Sequence, residues 1–313
     1  MAKAIVRSGA AQALAVKSVG DAGTVTGEKP VFDPTVPIPI THSAIYGDSG
    51  TGKSTMAATW PKVPGKPMLV LAFDPPDKMS PYLEQGTDVV RLEEEYYAQL
   101  GIKADSVLNE HGEEIVRVEY YMDPDPYVPR AMDQIESRLA GFEDEAQNWS
   151  TVVADSMTFY QYAGVRRAQS RLGFPATDPS QIFKPGSGWD GRQPFNIAKM
   201  DVERLLMSGM MWWGTNTVAI FHTSESSDKE DFGGEAVRGL LTIGKLQKNL
   251  PAGFSEIYRL YVTRGSSGHI HKAQTRHDGL WAATSIVAKA ANPCEPTFEG
   301  IWAGYTQRKS KKA

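Results

Sequence analysis

Eight consecutive residues constrain this chain more than any others: Gly47-Asp48-Ser49-Gly50-Thr51-Gly52-Lys53-Ser54. They match G-x-x-x-x-G-K-[S/T] at every fixed position, and a random chain of this length would carry that pattern about once in a hundred. Each residue type has a physical task. Gly47, Gly50 and Gly52 accept backbone angles that other residues resist, so successive N–H groups can converge on one anion. Lys53 would set an ammonium between the β- and γ-phosphates of a nucleotide. Ser54 would offer a hydroxyl to Mg²⁺, and the helix starting here would turn its positive end towards the same charge. The apolar run Ser43-Ala44-Ile45-Tyr46 reads as the strand entering the turn, and the short helix leaving it stops by Pro61.

A site of this kind also needs an acid at the end of a neighbouring strand to hold the metal's water shell. Thr151-Val152-Val153-Ala154-Asp155 supplies one, with Asp155 as the Mg²⁺ partner; the competing reading makes Asp155 the cap of the helix that follows. Hydrolysis asks for a further group to orient or deprotonate water. Asp74 and Asp77 follow the apolar run Met68–Phe73, a strand expected beside the P-loop strand, although Asp-Pro-Pro-Asp is also turn chemistry. His222 ends the run Thr217–His222 and could sense the γ-phosphate, or be merely structural.

The remaining organisation follows from periodicity. Residues 1–40, broken by Pro30, Pro34, Pro37 and Pro39, read as an arm, and 41–290 as one domain ahead of a C-terminal extension, 291–313, that ends in a basic tail. Asp88–Leu92 reads as a short strand. Ser106–Leu108 and Ile115–Tyr121 flank Asn109-Glu110-His111-Gly112 as a hairpin, and 128–140 and 157–172 read as helices. Residues 173–194 are Gly/Pro-rich and read as loop. Ile197 to Met211 reads as helix, and 255–263 and 269–275 as closing strands. The polar segment 223–243 lacks a pattern and is the candidate functional loop. Strands alternating with helices give an α/β fold with a mainly parallel sheet.

Composition matters here chiefly for what it excludes. With 41% hydrophobic and 22% charged residues among 313, the chain is neither disordered throughout nor a rod. A single cysteine, Cys294, rules out an internal disulfide and a cysteine-built metal site. No apolar run approaches the length of a membrane span, and the N-terminus lacks a secretory h-region, so a cytoplasmic protein without membrane contact is expected. The net charge of −4 argues against nucleic acid, but residues 93–145 alone hold 15 acids and 4 bases, a net −11 that leaves +7 on the rest. That acidic stretch reads as an insertion.

Taken together, Ile45–Thr55, Val152-Val153-Ala154-Asp155-Ser156-Met157-Thr158, Ile220-Phe221-His222-Thr223 and Leu250-Pro251-Ala252-Gly253-Phe254-Ser255 resemble the phage-type RecA-like ATP-binding proteins, compact AAA-superfamily ATPases of recombination and single-strand annealing. The resemblance spans about residues 40–287. It implies a RecA-like P-loop core, ATP with Mg²⁺, single-stranded DNA as partner, and self-association into a ring or filament, in the host cytoplasm if the chain is phage-encoded. It gives nucleotide and metal roles to Lys53, Ser54 or Thr55, and Asp155, a sensor role to His222, and a DNA-contacting role to the loop 223–243. In or near that loop, Arg238, Lys245 and Lys248 could meet phosphates, and Phe232 could stack on a base. Arg264, Lys272 and Arg276 are the candidates to reach a neighbouring subunit's γ-phosphate. One departure stands out: where such ATPases carry a glutamate after the second core strand, this chain reads Phe73-Asp74-Pro75-Pro76-Asp77. Two rival readings therefore stay open. One is a nucleotide-gated assembly factor with negligible turnover. The other is a small-molecule kinase using Arg166, Arg167 and Arg171.

Overall fold

The computed structural model describes residues 31–62, 65–123, 125, 128–173, 192–224, 238–243, 246–266, 268–286 and 291–310, excepting the side chains of 247, 248, 308 and 310. Strand β1 (His42–Gly47) runs into the glycine-rich turn and helix α1 (Lys53–Ala57); β2 (Met68–Ala72) and the short α2 (Ser80–Leu83) follow. The acidic stretch and its flank contain β3 (Asp88–Leu92), α3 (Glu95–Leu100), β4 (Lys103–Leu108), β5 (Glu114–Tyr120), α4 (Ala131–Leu139) and α5 (Phe142–Ala146). Next come β6 (Thr151–Asp155), α6 (Met157–Arg171), α7 (Gln193–Met207), β7 (Asn216–Ser224) and β8 (Gly239–Leu240). The chain closes through α8 (Leu246–Asn249), β9 (Glu256–Gly265), β10 (Gly268–Gln274), β11 (Thr284–Ser285) and α9 (Phe298–Ser310).

The strands form one sheet in the order β10-β9-β1-β7-β6-β2-β5-β4-β3, with β8 on β7 and β11 on β9. From β9 to β5 neighbouring strands are parallel; β10 at one end and β4 and β3 at the other are antiparallel. This is the expected α/β fold class, a mainly parallel sheet flanked by helices. Its central strands are apolar runs because both faces are covered. Ile45, Val70, Val153 and Val218 enter a core on one face, whereas Ala44, Tyr46, Leu71, Val152 and Phe221 enter a core on the other. Among the described residues no helix is long and apolar enough to cross a membrane.

The structure corrects one expectation about neighbours. β2 does not lie beside the P-loop strand; β7 and β6 intervene, and β2 pairs with β6 and β5. Parallel strands are joined by crossovers long enough to skip positions, so order along the chain does not set order across the sheet. The acidic stretch also adopts a definite place. Its β4–β5 hairpin turns where expected, with Asn109 Oδ1 accepting from the His111 and Glu113 amides at 2.9 Å each. β5 then extends the parallel sheet beside β2.

Candidate nucleotide site

The site is built from the backbone of residues 47–53. Gly47 ends β1 where β9 runs alongside, and a Cβ there would lie 2.5 Å from the Leu260 carbonyl oxygen, so only glycine permits the approach. Gly52 holds φ +87° and hands the chain to α1. The turn is clasped internally: Thr51 Oγ1 donates to the Asp48 carbonyl at 2.8 Å. Lys53 is buried, and its ammonium donates to the Gly47 and Asp48 carbonyls at 3.0 and 2.8 Å. Helix α1 is only five residues long, so its first amides, rather than a summed dipole, would face an anion.

Sheet order then delivers the acids. One strand, β7, separates β1 from β6, so Asp155 ends opposite the P-loop. Its carboxylate, 1% exposed, accepts from the Tyr82 hydroxyl at 2.8 Å and from Ser54. Ser156, not Asp155, sits at the cap position of α6, so the capping alternative does not describe this residue. Asp74, two residues past β2, accepts from the Ser156 amide and hydroxyl at 3.0 and 2.6 Å. Burial, and next the nearby Asp74 carboxylate, push the Asp155 carboxyl up to about 6. Burial lowers the Lys53 ammonium, against the pull of Asp155, Asp74 and Asp48. His222 is half-buried, and burial and then Lys53 lower its pKa, which favours the neutral ring.

Lys53, Ser54, Thr55, Asp74, Asp155 and His222 line one cavity of about 330 Å³, together with Ser49, Gly50 and Gly52. Asp77 does not join them; its side chain is 71% exposed and pairs with Lys78 at 3.6 Å. Its part in catalysis is therefore corrected: the Asp-Pro-Pro-Asp turn brings the first carboxylate inward and carries the second to the surface. The donor set around Ser54 and Asp155 is hydroxyl and carboxylate oxygen, which suits a hard divalent cation. By that donor chemistry these residues fit Mg²⁺.

Sequence reasoning missed several neighbours. Tyr82 and His271 touch the site's atoms, and Lys78, Ser156 and Phe159 line the cavity. Nothing local marks them, for each meets the P-loop or its acid only after the sheet assembles. Arg264, Lys272 and Arg276 lie on or just beyond the β9–β10 edge and do not line the cavity. The Arg238 guanidinium packs 5.2 Å over the Trp281 ring. Phe232 and Lys245, the Lys248 side chain and residues 225–237 of the candidate loop fall outside the described residues. Two of the three arginines of the kinase reading, Arg167 and Arg171, are engaged elsewhere. Arg167, 3% exposed, pairs with Asp133, Glu136 and Asp201, and Arg171 pairs with Asp133. Their charge is spent on carboxylates of α4 and α7.

No family model and no curated protein matches the chain. Among solved structures, an ATPase from the type III secretion system of pathogenic bacteria is 13% identical with a TM-score of 0.37, over 71% of this chain and 52% of its own. The chain thus spans about half that ATPase's length. A KaiC-like protein from the hyperthermophilic archaeon Pyrococcus horikoshii is 11% identical with a TM-score of 0.36, over 82% of this chain and 85% of its own.

Proposed function

We propose that the chain is a Mg²⁺-dependent RecA-like ATPase that acts on single-stranded DNA in phage recombination, annealing or repair. One observation carries the ATPase part: a P-loop lysine and hydroxyl share a single cavity with two carboxylates and a histidine. In this reading the loop amides and Lys53 grip the triphosphate, while Ser54 and Asp155 hold Mg²⁺. The metal, when bound, neutralises charge on the β- and γ-phosphates. Asp74 has Oδ1 occupied by Ser156, so Oδ2 is the atom that would orient water. His222 pairs in register with Gly47 and would meet the γ-phosphate as a neutral hydrogen-bonding group.

The DNA part is supported by the +7 charge outside residues 93–145 and by the position of His222 at the head of segment 223–243. Assembly into a ring or filament would bring Arg264, Lys272 or Arg276 of one subunit to the nucleotide of the next. The decisive measurement is ATP turnover with and without single-stranded DNA, run beside Lys53→Ala. Turnover should rise with DNA, fall steeply with salt and drop about a hundredfold or more in the variant. No DNA affinity at low salt with ATP present would remove the DNA half. A second reading, the nucleotide-gated assembly factor, is favoured by the hold of Ser156 on Asp74, which ties down the shorter acid that stands where a glutamate is expected. Oligomers that form equally with ATP and a non-hydrolysable analogue, with negligible turnover, would select it.

A further inference from the structure

Strand β10 lies outside the parallel part of the sheet, beyond β9, yet it reaches the nucleotide loop. His271 Nδ1 sits 3.0 Å from the Thr51 carbonyl oxygen. A carbonyl can only accept, so Nδ1 carries the proton and donates. The same nitrogen lies 3.4 Å from where a Cβ on Gly52 would be, so the ring packs against the positive-φ corner of the loop. We infer that His271 is a positioning residue for the phosphate cradle, acting through the orientation of a single peptide plane.

The Thr51–Gly52 peptide is trans, since the two cis bonds among the described residues lie elsewhere. In a trans peptide the C=O and the next N–H point in opposite directions within one plane. Holding the Thr51 oxygen towards β10 therefore turns the Gly52 N–H away from β10. Across the sheet, away from β10 means towards β7 and β6, the side that carries His222 and Asp155. Gly52 itself lines the cavity there. Rotating this peptide plane turns ψ of Thr51 and φ of Gly52, and Gly52, at φ +87°, has no Cβ to oppose the turn. The imidazole supplies the resistance that this glycine gives up, so the loop meets an anion with the amide already aimed.

The inference rests on the proposed nucleotide site, and its test separates the two. Affinity for a fluorescent N-methylanthraniloyl-ATP is measured on the full chain for wild type, Lys53→Ala, His271→Ala, His271→Asn and His269→Ala. Loss of one neutral hydrogen bond predicts weakening of about three- to tenfold in His271→Ala. His271→Asn places an amide donor where Nδ1 was and should recover binding to within about twofold. His269→Ala, two residues away on the same strand, should bind as wild type does. In turnover the His271→Ala loss should appear in KM with kcat nearly unchanged, a split that general loosening would not produce. Wild-type affinity in a folded His271→Ala protein overturns the inference, as does His271→Asn binding no better than His271→Ala. Undiminished binding by Lys53→Ala instead overturns the nucleotide site itself.

Discussion

Two buried carboxylates, Asp155 and Glu119, face opposite sides of the same sheet, three strands apart counting both ends, and their surroundings differ in one respect. Glu119 is 0% exposed and receives Arg138 Nε at 3.1 and 3.0 Å, the Tyr121 hydroxyl at 2.5 Å and the Tyr97 hydroxyl at 3.2 Å. Arg138 in turn holds Glu145 through two bonds of 2.7 Å. Asp155 is equally buried, but among the described residues its carboxylate accepts from hydroxyl groups, while the nearby ammonium of Lys53 donates to loop carbonyls. A buried acid with its own arginine is finished structure. One held by hydroxyl groups, with its carboxyl pushed up by burial beside a phosphate-binding turn, marks a candidate site.

Removing the arginine tests this contrast most severely. Arg138→Ala leaves Glu119 without its counter-charge and should cost about 3–5 kcal/mol in urea unfolding. Asp155→Asn should do the reverse at neutral and higher pH. With the folded carboxyl near 6 and the unfolded one in the ordinary range, the native state binds the proton more tightly. Ionising Asp155 therefore removes stability as pH rises from about 4 through 6. The asparagine variant should be more stable than wild type by on the order of 1–3 kcal/mol at pH 8, a gain that fades towards pH 4, while Mg²⁺-ATP turnover is lost. If Arg138→Ala and Asp155→Asn shift the pH 8 midpoint the same way, the contrast is broken.

The smallest effect concerns a buried group with no charge to satisfy. Burial pushes the Cys294 thiol up to about 12, and its Sγ donates weakly to the Ala273 carbonyl. Iodoacetamide at pH 8 should leave the folded protein unlabelled and label it fully in denaturant, read by mass spectrometry. Labelling of the native chain would show that burial alone does not silence a titratable group here.

Much of the candidate site was legible because its chemistry is local. A phosphate turn is made by adjacent backbone groups, so Gly47 to Ser54 announce it in one stretch. An apolar run ending in an acid is equally local, which is why Asp155 and Asp74 could be singled out. The acidic stretch was legible as charge but not as structure. Its net −11 looked like an insertion, yet Glu119, Glu114 and Glu145 spend themselves on Arg138 and Arg117, while Glu136 and Asp133 meet Arg167 from another helix. Only partners brought together by folding reveal that.

What the chain determined by itself was the list of elements and the chemistry at their ends, because burial on both faces and phosphate binding each leave a pattern within a few residues. Assembly of the sheet decided the rest. It set β7 between the P-loop and Asp155, moved β2 away from the loop it was expected to flank, and brought His271 to a carbonyl 220 positions earlier. Contacts of that kind depend on strand order and on which face a side chain leaves, and neither is written in any short stretch of residues.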